Sequence, residues 1–73
     1  MSKKNKFELS ADSEFIELNK LLKAEQIAQS GGHARMLIEE GAIMVNNEVE
    51  HRIRRKLRKG DTVQFENIEI EIL

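Results

Sequence analysis

The sequence predicts an α+β fold: two short N-terminal helices packed on one side of a small antiparallel sheet of three to four strands. Three observations predict it. Apolar residues recur at helical spacing between residues 15 and 38, and from Ala42 onward the period changes to two. The chain has 73 residues, which is room for one domain only. At that length folding buries roughly 60% of the surface the open chain exposes, so each element must share its apolar face with the others. Apolar residues make up 40% of the chain and charged residues 34%, with no proline. That composition belongs to a folded, well-solvated protein rather than a disordered one.

Residues 1–6 (MSKKNK) read as a disordered basic tail, and residues 7–73 as a single domain. Phe7 and Leu9 suggest a short strand at its start. Asp12-Ser13 offers a cap for a first helix, in which Phe15, Leu18, Leu21 and Leu22 recur at helical spacing, with Glu14 and Glu17 in the first turn. The pattern runs to Ile27 or Ala28, where Gln29-Ser30-Gly31-Gly32 punctuates it. A second helix is expected over residues 33–40. There Ala34, Leu37 and Ile38 share a face, Arg35 and Glu39 pair four apart, and Gly41 sits where a left-handed cap is wanted. Neither helix is long enough to hold by itself.

Ile43 and Val45 then alternate up to Asn46-Asn47, a hairpin signal, and Val49 resumes the pattern. Gly60-Asp61 marks a further turn. Val63 and Phe65 alternate, Asn67 breaks the phase, and Ile68, Ile70 and Ile72 alternate again as a strand with one dry and one acidic face.

Several function classes fall away. The chain has no cysteine, hence no disulfide and no thiolate zinc site, which suits a reducing compartment. No apolar run approaches a membrane span, and residues 1–6 lack the apolar stretch of a secretion signal, so a cytoplasmic location is expected. His33 and His51 have no recognisable ligand spacing, and Ser30 near His33 lacks an orienting acid. No catalytic residue, metal or cofactor is expected.

Charge is more informative. The net charge is −1, yet residues 51–60 hold Arg52, Arg54, Arg55, Lys56, Arg58 and Lys59 with no acid. Residues 61–73 hold Asp61, Glu66, Glu69 and Glu71 with no base. Such segregation puts one electropositive surface on a nearly neutral molecule, and a polyanion responds to that local field. Ile53 and Leu57 anchor the run to the core, and arginine's planar fork of donors suits phosphate.

A second candidate lies at Ser30-Gly31-Gly32. Glycines ahead of a helix let a phosphate approach its free first-turn N–H groups, with His33 and Arg35 in the same turn. The competing reading is a tight corner whose glycines supply positive φ. There is no tyrosine or tryptophan, and Phe7, Phe15 and Phe65 sit in apolar patterns. Recognition of the shape and phosphates of structured RNA is therefore expected rather than base stacking.

The order of parts in residues 30–65 resembles the RNA-binding module named after small-subunit ribosomal protein S-four, also called the alpha-L motif. The residues that carry the resemblance are Ser30, Ala34-Arg35, Leu37-Ile38, Gly41, Val45-Asn46, and Gly60-Asp61 with Val63. The small stand-alone bacterial YaaA/YbcJ-like members are most similar, through the Ser-Gly-Gly turn and the stretch from Arg52 to Asp61. The resemblance implies that the second helix and the following loop face RNA, with structured ribosomal or transfer RNA as the target class. It also marks two departures: Gly31 stands where many members carry arginine, and Asn47-Glu48 replaces the common Asn-Gly turn.

The reading is a non-catalytic, monomeric RNA-binding module, with ribosome association left open, that binds through Ser30, Gly31, Gly32, His33, Arg35, Arg52, Arg54, Arg55, Lys56, Arg58 and Lys59. A helix-turn-helix DNA binder over residues 15–40 is the first alternative, weakened because its second helix offers Arg35 and His33 against Glu39 and Glu40. A protein-interaction module using the edge of the 68–72 strand is the second.

Overall fold

The alternation of Ile68, Ile70 and Ile72 with Glu69 and Glu71 sets the sheet that the rest of the chain builds on. In the computed structural model, which describes residues 3–73, this segment is the last of seven strands among the described residues. In chain order these are β1 (Lys3–Phe7), β2 (Ile16–Glu17), β3 (Ile43–Val45), β4 (Glu48–Val49), β5 (Lys56–Leu57), β6 (Thr62–Phe65) and β7 (Ile68–Ile72). Two helices, α1 (Leu18–Ala24) and α2 (Gly31–Glu39), fall between β2 and β3. The main sheet has the order β1-β7-β6-β3-β4, and β2 pairs with β5 in a separate two-stranded ladder. The α+β class stands as read from sequence.

The sheet differs from expectation in two ways. It has five strands rather than three or four, and it is mixed, because β1 runs parallel to β7 while the other pairs are antiparallel. Residues 3–6, read as tail, therefore belong to a strand; residues 1 and 2 lie outside the described residues. Lys4 and Lys6 are exposed while Asn5 and Phe7 are half-buried. The lysines thus take the outer face of an edge strand, opposite Glu69 and Glu71 in register. Lys4 and Lys6, two of the three lysines that suggest fraying, are the solvated half of a period-two pattern.

The inner face carries Ile43, Val45, Val63, Ile70 and Ile72, which form one core with Leu18, Leu21 and Leu22 of α1, Ala34, Leu37 and Ile38 of α2, and Leu57 of β5. Each such side chain contributes about 1.5–3 kcal/mol when fully buried. Helices of seven and nine residues are too short to persist in water, and this shared burial is what holds them.

Helix α1 is shorter at both ends than its apolar spacing suggests. It begins at Leu18, without a side-chain cap, because Ile16 and Glu17 are drawn into the ladder with Leu57 and Lys56. It stops at Ala24 because Gln26 adopts a left-handed φ of 61°. Such a position usually takes glycine. Replacing Gln26 by Gly is expected to raise stability by about 0.5–1 kcal/mol, read as a higher urea midpoint at unchanged slope.

Helix α2 begins at Gly31, two residues before its sequence-based start, and ends as expected with Gly41 at φ 79°. The β3–β4 turn is Asn46-Asn47, both left-handed at φ 52° and 70°. That is the primed two-residue hairpin geometry, which asparagine tolerates better than most residues. Asn47-Glu48 is therefore not the turn pair, and the lack of glycine there has little consequence.

Candidate nucleic-acid interface

Ser30 sits in extended conformation at the start of α2, and its Oγ accepts the His33 backbone N–H at 3.1 Å. The Ala34 N–H goes to the Ser30 carbonyl at 3.0 Å. These bonds use two of the first-turn donors and leave the N–H groups of Gly31 and Gly32 without a protein acceptor among the described residues. Neither glycine has positive φ, so the tight-corner explanation fails. Crowding does not require them either. A Cβ at Gly31 would meet nothing within 4 Å, and one at Gly32 only Ser30 Oγ at 3.9 Å. The His33 Nδ1 accepts the Gln29 N–H at 3.2 Å, so the ring is engaged there rather than on Ser30 Oγ.

The basic loop is tied down along its length. Leu57 is fully buried and Ile53 half-buried, as their apolar character requires. The Leu18 N–H donates to the Arg55 carbonyl at 2.8 Å and the Asn19 N–H to the Ile53 carbonyl at 3.1 Å. Loop carbonyls thus supply the cap that α1 lacks in its own side chains. At the far end Asp61 Oδ2 accepts the Arg58 N–H at 2.8 Å, and Asp61 Oδ1 accepts from Asn46 Nδ2 at 3.1 Å. Asn46 Oδ1 in turn accepts the Thr62 N–H at 3.0 Å. The Asn and Asp that help to mark the sequence pattern are structural stitches.

The cations of the loop are not equivalent. Glu50, only 7% exposed, immediately precedes the basic run. Its carboxylate accepts from the Arg52 backbone N–H at 3.0 Å, from Arg52 Nε and Nη2 at 3.1 Å each, and from Arg55 Nη1 at 2.7 Å. The Arg52 guanidinium foremost, and Arg55 with it, outweigh the opposing effect of burial and hold the Glu50 carboxyl at about 2, from an ordinary 4.5. Arg52 and Arg55 are therefore partly committed within the protein. Arg54, Lys56, Arg58 and Lys59 are exposed, and none of them is in an ion pair among the described residues.

The fold brings the glycine turn and the basic loop together. Asn19, Gly31, Gly32, Arg35, Ile53 and Arg54 line a cleft of about 490 Å³. The Asn19 Oδ1 is buried there without a hydrogen-bond partner among the described residues. Arg35 is also held loosely by Glu39 at 3.4 Å in an exposed pair of little energetic weight. Lys59 lies elsewhere, lining a separate groove with Glu8, Glu14 and Glu71. Lys56 and Arg58 lie over the ring of Phe15 at 4.9 and 5.7 Å from its centroid. Phe15, read from sequence as a core residue, is 36% exposed.

Glu50 and Phe15 are the site residues that the sequence reading missed. A carboxylate two and five residues ahead of arginines is a visible signal. Nothing local to Phe15 reveals its neighbours. Among the described residues no group of three or more His, Cys, Asp or Glu is placed to hold a metal ion, and no helix is long and apolar enough to cross a membrane.

The family model of the S4 domain matches residues 7–73. The chain belongs to the S4 domain family. Among S4 domain relatives, it is 41% identical over 58 residues to a probable ribosome maturation protein, RlbA of Bacillus subtilis (strain 168), covering 80% of this chain and 82% of that one. It is 38% identical over 58 residues to YbcJ of Escherichia coli (strain K12), covering 80% and 83% respectively. The solution structure of YbcJ is described as revealing an alpha-L motif involved in RNA binding. It aligns with all of this S4 domain and 91% of its own chain, at a TM-score of 0.72 and 36% identity. The two-helix, mixed-sheet architecture is that of the alpha-L motif.

Proposed function

We propose that this S4 domain is a non-catalytic module that binds structured RNA of the ribosomal or transfer class, acting as a monomer on or near the ribosome. The observation that carries the reading is the cleft where the unpaired N–H groups of Gly31 and Gly32 lie beside Arg35 and Arg54. Donors without acceptors, flanked by guanidinium groups, match a phosphodiester. The RNA-binding motif described for YbcJ and the ribosome maturation name of RlbA support the same class of partner. Ser30 and His33 shape the turn, and Lys56 and Arg58 extend the positive surface of the loop, while Lys59 lies apart in a groove with Glu8, Glu14 and Glu71. Arg52 and Arg55 contribute less than their number suggests, because Glu50 partly neutralises them.

The direct test is one titration series at fixed salt against a structured ribosomal RNA fragment, duplex DNA of matched length and a ribosomal fraction. Tighter binding to the RNA-containing partners is expected, and equal affinity for duplex DNA would remove the reading.

The glycine turn gives a sharper one. With no positive φ and open space around Gly31, Gly31→Ala is expected to leave stability unchanged or raised by up to about 1 kcal/mol. RNA affinity is expected to fall about threefold to tenfold, because a methyl group stands where the phosphate comes closest. Thermal melting and the same titration separate the two quantities. Lower stability with unchanged affinity would assign these glycines to the fold alone.

A further inference from the structure

Lys56 and Arg58 stand apart from Arg52 and Arg55 in what holds them. Arg52 and Arg55 share one carboxylate, which fixes their position but offsets part of their charge. Among the described residues Lys56 and Arg58 are in no ion pair; their shared neighbour is the ring of Phe15. The arrangement is built into the ladder. Ile16 pairs with Leu57 and Glu17 with Lys56 in antiparallel register, so one step further Phe15 comes opposite Arg58, with Lys56 on the diagonal. Opposite and diagonal positions are where cross-strand side chains meet. Phe15 stays 36% exposed, so the two cations over its ring remain on the open surface.

We infer that Phe15 is a positioning residue for RNA binding: it orders Lys56 and Arg58 over its ring while leaving both charges intact for phosphate. The inference rests on the proposed RNA-binding function and adds a residue to it. The quadrupole of an aromatic ring attracts a cation without neutralising it, which no carboxylate can do. An aliphatic residue at the same place would fill the space and give the cations nothing to lie on.

The experiment compares the parent with Phe15→Leu, Phe15→Tyr and Phe15→Trp, each titrated with a structured ribosomal RNA fragment across a range of salt, with affinity expressed per folded molecule from its melting curve. Phe15→Leu is expected to bind about threefold to tenfold more weakly, the range that corresponds to losing cation–ring contacts at an exposed site. The slope of log affinity against log salt is expected to stay that of the parent, since the same phosphates are still met. Tyr and Trp are expected to restore binding. In the free protein, the ring-current shifts of the Lys56 Hε and Arg58 Hδ protons are expected in the parent and lost in Phe15→Leu. Parent-like affinity in Phe15→Leu overturns the inference. So does strong quenching of Phe15→Trp emission by RNA together with loss of those ring-current shifts in the complex, which would make the ring a stacking platform. A parent that binds no RNA at any salt defeats the proposed function itself, a result distinguishable from either.

Discussion

Replacing Arg55 by Ala is expected to destabilise the protein by about 2 kcal/mol, a large share of the total for a domain this small. In the sequence, Arg52 and Arg55 are simply two of the six cations of the basic run. Glu50 changes that. Its carboxylate is nearly buried, and Arg55, itself only 27% exposed, makes the shorter contact to it at 2.7 Å. Arg52 makes more bonds to Glu50 but its side chain is 73% exposed. Water can replace much of what Arg52 provides and little of what Arg55 provides.

Arg52 foremost, and Arg55 with it, also set an acid limit through Glu50. A carboxyl held at about 2 in the folded chain, against 4.5 ordinarily, adds stability that is complete above pH 4.5 and lost as pH falls through about 2. Because the Arg52 side chain is 73% exposed and screened by water, the linkage is on the order of 1–2 kcal/mol between those limits. Urea midpoints measured at pH 7, 4.5 and 2.5 check both statements. The parent should lose stability on acidification more steeply than Arg55→Ala, and the cost of Arg55→Ala should shrink in a Glu50→Gln background. Parallel pH curves for parent and variant would show that the pair contributes nothing of the kind.

The second large effect is on binding. Arg35→Ala with Arg54→Ala removes both guanidinium groups from the cleft without touching Glu50. RNA affinity is expected to fall about tenfold to a hundredfold, as for two lost charge-assisted contacts, while the melting temperature stays within a few degrees of the parent. If the parent meets about four to six phosphates, its log affinity falls with log salt at a slope of roughly −3 to −5. The double variant should flatten that slope by about 1.5 units, at 0.7–0.9 per contact. A titration from about 50 to 300 mM salt covers the range over which such contacts weaken. An unchanged slope would place the RNA on another face.

The parts of the fold that were legible in sequence are those whose cause is local. The alternation of Ile68, Ile70 and Ile72 announced β7, and Gly41 announced the end of α2, because a few residues suffice to specify each. The start of α1 was not legible. Its cap consists of the carbonyls of Ile53 and Arg55, more than thirty residues away in sequence. Phe15 falls at helical spacing from Leu18 and Leu22, yet a distant strand captures it. Strand β1 was hidden for a similar reason, since its partner lies at the other end of the chain and three of its five residues are exposed lysines. The candidate site followed the same division. The cations and the glycine turn were visible as composition, and the way Glu50 and Phe15 divide the cations between them was not, because it depends on burial and register.

The capping of α1 by the basic loop bears on the thermodynamics of encounter. Basic segments that meet RNA as free chains must give up conformational entropy at the moment of binding, and that loss is subtracted from whatever their charges gain. Here the backbone at Ile53 and Arg55 is already fixed by the amides of Leu18 and Asn19. Its ordering is part of folding, completed before any RNA arrives. Association can then proceed as the docking of two finished surfaces, guided by charge at long range, with little heat-capacity change beyond the small apolar area covered.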